Sequence, residues 1–522
     1  MERDFSRLGG EPFDLLVIGG GIYGAWTAYD AALRGLRVAV VDRSDWASGT
    51  SSASSKLIHG GLRYLEHWQF SLVRKSLVER RRLARLGPHR VHATRFVLPV
   101  YRGDNVGRLK LRAGLWLYDR LGGKNPPVEL HRPRSRRALL RDYPLAPAGL
   151  VGGFTFGDCQ TDDARFTLEI VDGAVEAGAV AVNHARASRL LSGGESVAGA
   201  VVEDLESGRS VEVHAGVTVN CCGPWCNELI DDRPGVRRPR IRRTKGIHLV
   251  MPALPVDDAF LLTSSEDGRV VFLLPWYGRT LVGTTDTDFE GDLDNLRVEA
   301  TEVSYLLARA NRAFDRPLWS AGDVIASFAG VRTLAGGTGL TSPSAVTREW
   351  RLDEPLPRLL VPVGGKFTSA RVEAQRIVNR VLDRLGRERI LGKTARIPLP
   401  WTPSELQSNG PGNGLDRETL ASCRSRHGVR LERIFERVRE RPALARRIVP
   451  DLPFCMAEVA HAARDEMART LEDVLRRRVP LLLLCRLDEP TLREVADVAG
   501  AELDWSLERR RDEVERAIHE TT

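Results

Sequence analysis

Residues 13–42 read FDLLVIGGGIYGAWTAYDAALRGLRVAVVD, and no other stretch of the 522-residue chain restricts its fold so tightly. A short apolar run, Leu15 to Ile18, enters Gly19-x-Gly21-x-x-Gly24. An alanine-rich helical pattern follows, and a second apolar run, Val38 to Val41, ends at Asp42. Strand, glycine turn, helix and strand in this order form a βαβ unit. Gly19 permits the tight turn, Gly21 lets the backbone approach a pyrophosphate at the positive helix end, and Gly24 lets helix and strand pack closely. Asp42, 18 residues past the last glycine, can accept hydrogen bonds from an adenosine ribose. A lone GxGxxG is weak evidence. Between two strands, with the acid in place, it predicts a bound dinucleotide.

A chain of this length buries a large core and is expected to hold two or three domains. With 42% hydrophobic and 28% charged residues, its composition argues against wholesale disorder. No apolar run reaches the ~18 residues of a membrane span; the longest, such as Val479 to Cys485, are core-sized. Residues 1–10 lack the apolar stretch of a secretory signal, so a cytosolic location is expected. Cys221, Cys222 and Cys226 cluster among seven cysteines, but no CxxC pair or Cys/His ligand spacing occurs. No metal is therefore expected, and the thiols read as buried and free, with a vicinal redox pair at Cys221 and Cys222 as the alternative. The net charge of +8 suggests an anionic partner: nucleic acid, an acidic membrane face or a phosphorylated substrate.

The expected fold class is α/β, α+β overall. Residues 1–100, 150–235 and 320–390 should form a discontinuous Rossmann-like domain. Residues 101–149 and 236–319 should form a mixed or antiparallel sheet domain over the substrate, and 405–522 an all-helical domain. The grounds are local. Phe70 to Arg85 is a basic helical pattern, 161–179 has helical spacing, and strand-like segments lie near 180–190, 198–204 and 210–219. Arg233 to Lys245 reads as a basic linker, and 246–289 alternates like an antiparallel sheet. Residues 361–382 give a strand, a glycine turn and a helix, and Pro398 through Gly414 reads as a linker.

The blocks VIGGGIYGA, TSSASSKLIHGGLRYLE, RFVLPVY, GPW, GTTDTDF, AGVRTL, GGKFTSAR and EMARTLEDVLRRR run from residue 13 to about 478. Together they resemble the FAD-dependent sn-glycerol-3-phosphate dehydrogenases, the aerobic respiratory branch of the D-amino-acid-oxidase-like flavoproteins. The resemblance implies FAD, glycerol 3-phosphate, a quinone acceptor and a peripheral place on the inner face of the cell membrane. A homodimer is left open, and no nucleic-acid partner is expected. Three positions depart from the family pattern: Tyr23 where a small Asn is common, Cys221-Cys222 where Ala-Thr is usual, and Asp42 where Glu is usual.

The implied reaction moves a hydride from C2 of glycerol 3-phosphate to the flavin N5 while the hydroxyl proton leaves. It needs cations for the phosphate, a proton acceptor, and positive charge near the reduced flavin's pyrimidine edge. Arg63 in HGGLRY and Arg332 in AGVRTL match family substrate positions, and Arg suits phosphate through its bidentate fork; Tyr64 adds a hydroxyl. His59 in KLIHGG and His248 in TKGIHLV are the candidate bases. Lys366, at a helix opening, supplies the third need and can also touch substrate. Ser51, Ser52, Ser55, Lys56, Gly60, Gly61, Gly223, Trp225, Gly365, Phe367 and Thr368 are the remaining expected flavin contacts.

Arg108, Lys110, Arg112 and Arg120 interleave with Leu109, Leu111, Leu115, Trp116, Leu117 and Leu121, a pattern suited to a monotopic anchor. The rival readings are a peroxide-forming glycerophosphate oxidase, another flavin-dependent amine or amino-acid oxidase, an RNA-binding flavoprotein, and an inactive scaffold. With 6% aromatics and no stacking patch, the RNA reading is weak. An inactive scaffold would be expected to have lost the Arg, His and Lys set.

Overall fold

The computed structural model describes residues 1–230, 236–263, 268–336, 349–403 and 414–521. The fingerprint folds as read: β1 (Phe13–Ile18), α1 (Ile22–Leu33) and β2 (Val38–Val41), with β1 and β2 parallel. β1 is buried on both faces, which explains its continuous apolar run. Alternate residues divide the work. Leu15 and Val17 join the core under α1 with Trp26 and Phe166, while Leu16 and Ile18 join an opposite core with Val202 and Val213.

Beyond β2 the parallel sheet continues with Val180–Val182. On the other side of β1 it continues with Ser210–Asn220 and then Leu359–Val363, so a segment some 140 residues downstream completes the domain. Ser196–Asp204 pairs antiparallel to Ser210–Asn220, and Ala185–Gly193 pairs with it in turn. The chain thus leaves β1 in one direction and returns to its far side. The crevice beyond Ile18 and Asn220 is the topological switch point where doubly wound sheets bind ligands.

A second sheet of ten strands is mainly antiparallel and faces this crevice. Its long members are His92–Tyr101, Leu150–Gln160, Ile241–Pro252, Val270–Trp276 and Ala326–Ala335. The expected boundaries therefore shift. Residues 92–100, 150–160 and 326–335, assigned above to the nucleotide domain, pair within this second sheet, because their partners are each other and Ile241–Pro252. The expected linker to Lys245 already becomes strand at Ile241; its residues 233–235 lie outside the described ones.

Five helices, Arg417–His427, Leu431–Glu440, Met456–Asp465, Glu489–Glu502 and Leu507–Thr521, make most of the C-terminal domain. The start of the expected linker before it is packed rather than free: Leu399 and Trp401 are buried, and Trp401 Nε1 donates to Asp172 at 2.6 Å. Residues 404–413 of that linker lie outside the described ones. Among the described residues no helix is long and apolar enough to cross a membrane.

Candidate active site

Between the switch point and the second sheet lies a cavity of about 720 Å³. Its fingerprint end is made of backbone. Gly19 has φ +103°, and a Cβ on it would press against the Cys221 carbonyl at the end of the neighbouring strand. A Cβ on Gly24 would overlap the Gly19 carbonyl, so only glycine lets α1 start this close to β1. The Ile22 N–H donates to Ser51 Oγ at 2.9 Å, which ties the helix opening to the serine-rich loop. Asp42 accepts from the Gly20 N–H at 2.6 Å and the Ser44 N–H at 2.8 Å. Burial pushes its carboxyl up to about 6. The indole of Trp46 covers Gly20 so closely that a Cβ there would collide with it.

The reactive end is made of side chains from distant segments. Leu57–Ile58 pairs with Leu150–Gln160, which delivers the LIHGG loop to the cavity wall. Gly61, with φ +80°, turns the chain so that Arg63 and Tyr64 face the cavity. Arg63 Nε is buried without a hydrogen-bond partner among the described residues. Arg332, on Ala326–Ala335, crosses over Gly246 of the paired strand, where any Cβ would collide with its guanidinium. It donates to Thr284 Oγ1 at 2.9 Å and to Asp286 at 3.3 Å. Gly364 and Gly365, both at positive φ, make the turn that brings Lys366 beside the LIHGG loop. Lys366 Nζ donates to the Gly60 carbonyl at 3.3 Å and Ser76 Oγ at 3.2 Å and lies 4.8 Å from the Tyr64 ring centre. Burial lowers its pKa.

The two candidate bases occupy different places. His59 lines the cavity, its N–H bonded to Thr368 Oγ1 at 3.2 Å and its ring edge-on to Phe272. Burial, with the positive charges of Lys366 and Arg80, holds its pKa well below the ordinary 6.5, so the ring is neutral at pH 7. His248 stands behind the wall. It is stacked on Phe328, fills the space left by Gly283, and places Nε2 2.9 Å from Ser55 Oγ. It reaches the cavity through Ser55, which lines it. Burial first, then Arg332 and Lys56, keep it neutral.

Of the other expected contacts, Gly21, Ser51, Gly223, Gly365, Phe367 and Thr368 line the cavity. Gly60 is one layer behind, its N–H donating to Tyr118 Oη at 2.8 Å. Three residues are placed elsewhere. Lys56 turns away to a buried ion pair with Asp163 at 2.5 Å and to the face of Trp276, and with Ser52 it lines a separate small cavity. Trp225 packs outside, donating to Asp294 at 3.0 Å under Arg43. Cys221 and Cys222 are half-buried free thiols, and burial raises both pKa values, Cys221 to about 12, so neither is held as a thiolate. Tyr23 lines the cavity against Gly365 and hydrogen-bonds Glu373, which also holds Lys75 at 2.8 Å.

Sequence reasoning missed Trp46, Thr284, Asp286, Phe272 and Arg269. Thr284 and Asp286 sit in GTTDTDF, so that block carried the signal. Phe272 reaches the cavity through strand pairing and Arg269 from just before the same strand, and nothing local marks them. In the C-terminal domain Cys423, His427 and Glu458 lie within metal-ligand reach of one another, as do His427, His461 and Glu466. Arg426 and Arg165 already pair with the two carboxylates, at 2.6 Å each.

The cavity reaches the surface beside Trp68, Phe70, Lys110 and Leu111. There Trp68 is 80% exposed and Leu109 83%, and Trp116 of the same helix, Arg108–Gly122, is 54% exposed.

The FAD dependent oxidoreductase family matches residues 14–355, and the C-terminal domain of alpha-glycerophosphate oxidase matches 367–510. A glycerol-3-phosphate dehydrogenase of Synechocystis is 34% identical over 506 residues, covering 92% of this chain and 91% of its own. A D-erythritol 1-phosphate dehydrogenase of Brucella abortus is 34% identical over 501 residues, covering 90% and 94%. The crystal structure of the Bacillus halodurans glycerol-3-phosphate dehydrogenase complexed with FAD superposes with a TM-score of 0.79 at 25% identity, over 99% of this chain and 96% of that one. The switch-point crevice, the glycine cradle and the side chains of the reactive end fit FAD, and with these matches they establish that the chain belongs to the FAD-dependent glycerol-3-phosphate dehydrogenase family.

Proposed function

We propose that this protein oxidises sn-glycerol 3-phosphate to dihydroxyacetone phosphate and passes the electrons to a membrane quinone. The observation that carries the reading is the convergence of Arg63, Arg332, Lys366 and a neutral His59 on one cavity. FAD, when bound, supplies the hydride acceptor for C2. The protein's own residues do the rest. Arg63, with its unpartnered Nε, and Arg332 hold the phosphate and fix which carbon faces the acceptor. His59 takes the C2 hydroxyl proton as the carbonyl forms. Burial, with the charges of Lys366 and Arg80, keeps the ring unprotonated and so free to accept that proton. His248 orients the Ser55 hydroxyl toward the same space. Lys366 holds positive charge at the turn before a helix, where it would stabilise the negative charge that FAD gains on reduction.

Anaerobic mixing of the purified yellow protein with glycerol 3-phosphate should bleach the flavin, and glycerol should not. The equal identity to the Brucella relative favours one second reading, a four-carbon polyol phosphate. A kcat/KM for D-erythritol 1-phosphate above that for glycerol 3-phosphate would replace the substrate named here. Quinone reduction without peroxide supports the dehydrogenase over the oxidase.

The exposed Trp68, Leu109 and Trp116, set among Arg108, Lys110, Arg112 and Arg120 at the cavity mouth, suit docking on the anionic cytosolic face of a membrane. A lipid-soluble acceptor would then meet the cavity where it opens. The protein should sediment with anionic liposomes at low salt and release as salt rises. Failure to bind at low salt would remove the membrane from the proposal.

A further inference from the structure

The segment EMARTLEDVLRRR, residues 466–478, belongs to the helical C-terminal domain, yet the side chains of Asp473, Arg477 and Arg478 end in the nucleotide domain. We infer that it is a working part of the cofactor site: it braces the loop Asp42–Ala47 that receives the adenosine end of the dinucleotide. The inference rests on FAD occupying the switch point and is independent of the substrate.

The loop leaves β2 at Asp42 and must return toward the fingerprint. Asp45 in its middle is fully buried. Its carboxylate accepts from Arg477 Nε at 2.6 Å, from both guanidinium ends of Arg478 (Nη2 at 2.8 Å), and from Asn183 Nδ2 at 3.1 Å. Two arginines meet one carboxylate because residues Asp473–Arg478 form a π-helical turn, whose wider spiral brings adjacent side chains to the same side. Arg478 is fixed in turn by the Glu466 carbonyl at 2.8 Å. Arg477 is fixed by Asp473 at 2.6 Å, and Asp473 also meets His184 at 2.9 Å. The corner 183–185 closes the other side: the Ala185 N–H donates to the Asp42 carbonyl at 2.7 Å and the His184 N–H to that of Ser44 at 2.9 Å.

The clamp is transmitted by the next residue. Trp46 is buried against Gly20, and the Ala47 N–H donates to the Gly20 carbonyl at 3.2 Å. Gly20 in turn donates to Asp42. Arg478, Asp45, Trp46 and Gly20, all buried, therefore form one continuous chain to Asp42 in the fingerprint. A buried carboxylate that loses its cations is left uncompensated and must move or take up a proton. Lysine cannot replace the arginine fork, because it has no second donor in that plane.

The test is the rate at which the full-length holoenzyme releases FAD on dilution, read from flavin fluorescence. Arg478→Lys and Asp45→Asn should each release FAD at least tenfold faster than the unmodified protein. The control is Arg430→Gln. It cuts a different contact of the C-terminal domain with the nucleotide domain, Arg430 to Asp172 at 2.7 Å, and should leave the rate unchanged. Release within twofold of the unmodified rate in both clamp variants would overturn the inference. So would equal acceleration by Arg430→Gln, which would mean that any loosening of the domain contact suffices. If Asp45→Asn does not fold, Arg477→Lys joins Arg478→Lys under the same criteria.

Discussion

At the fingerprint end of the cavity the wall is backbone, with glycines that leave no room for a Cβ and amides that point at Asp42 and Ser51. At the reactive end the wall is side chain: Arg63, Arg332, Lys366 and His59 arrive from distant segments, with His59 and Lys366 tied to each other's loops and Arg332 tied to Thr284. The difference separates two kinds of failure. Damage at the first end should empty the protein of flavin. Damage at the second should leave it yellow and slow.

The largest expected effect breaks the fingerprint. Gly24→Val drives a side chain into the Gly19 carbonyl, so the protein should purify without flavin, checked by its absorbance spectrum. Retained flavin at normal stoichiometry would contradict the backbone account. Next, His59→Asn should keep FAD but lose kcat by about 10²–10⁴-fold, the usual worth of a general base. Its counterpart, His248→Asn, should lose far less, since it acts through Ser55. Equal losses would place both rings at the chemistry.

Arg332→Ala should raise KM for the phosphorylated substrate by roughly 10–100-fold, from charge-assisted bonds of about 1.5–3 kcal/mol, with flavin content unaltered. The pH dependence sharpens the contrast between the ends. At the reactive end, the acidic limb of kcat/KM should lie below pH 6.5, because positive neighbours and burial oppose the imidazolium; Lys366→Met should move it upward. At the fingerprint end, Asp42 titrates near 6. Below that pH its carboxyl is protonated and a poorer acceptor for ribose hydroxyls, so FAD affinity should fall as pH drops through 6 and turn pH-independent in Asp42→Asn. The smallest effect is Tyr23→Phe, which removes one hydrogen bond to Glu373 and should cost about 1 kcal/mol of stability by thermal melting.

The same division explains what the sequence made legible. The glycine cradle is a local pattern of thirty residues, and its turn, helix start and acid are all present in the structure. LIHGG and GGKFTSAR were also local, since positive-φ glycines before a functional side chain leave a readable mark. Side-chain direction was not legible, because a residue inside a motif can face either way: a buried Asp163 draws the Lys56 side chain inward, and Asp294 with Arg43 draws Trp225 outward. The ten-stranded sheet was harder to delimit. Its strands come from both sides of the nucleotide halves, and pairing between positions 95 and 157, or 244 and 332, leaves no periodic trace in either segment.

Tyr118 lies on the helix that carries Trp116 on its outer side, and its hydroxyl accepts from Gly60 and donates to Asp158 at 2.5 Å. A single phenol therefore spans the distance between the outermost layer of the protein and the peptide next to His59. Displacement of that helix by an amphiphile would pull on the hydrogen bond to Gly60, in the loop that carries His59. Turnover should therefore depend on the surfactant in which the enzyme is assayed, even when flavin and substrate are saturating.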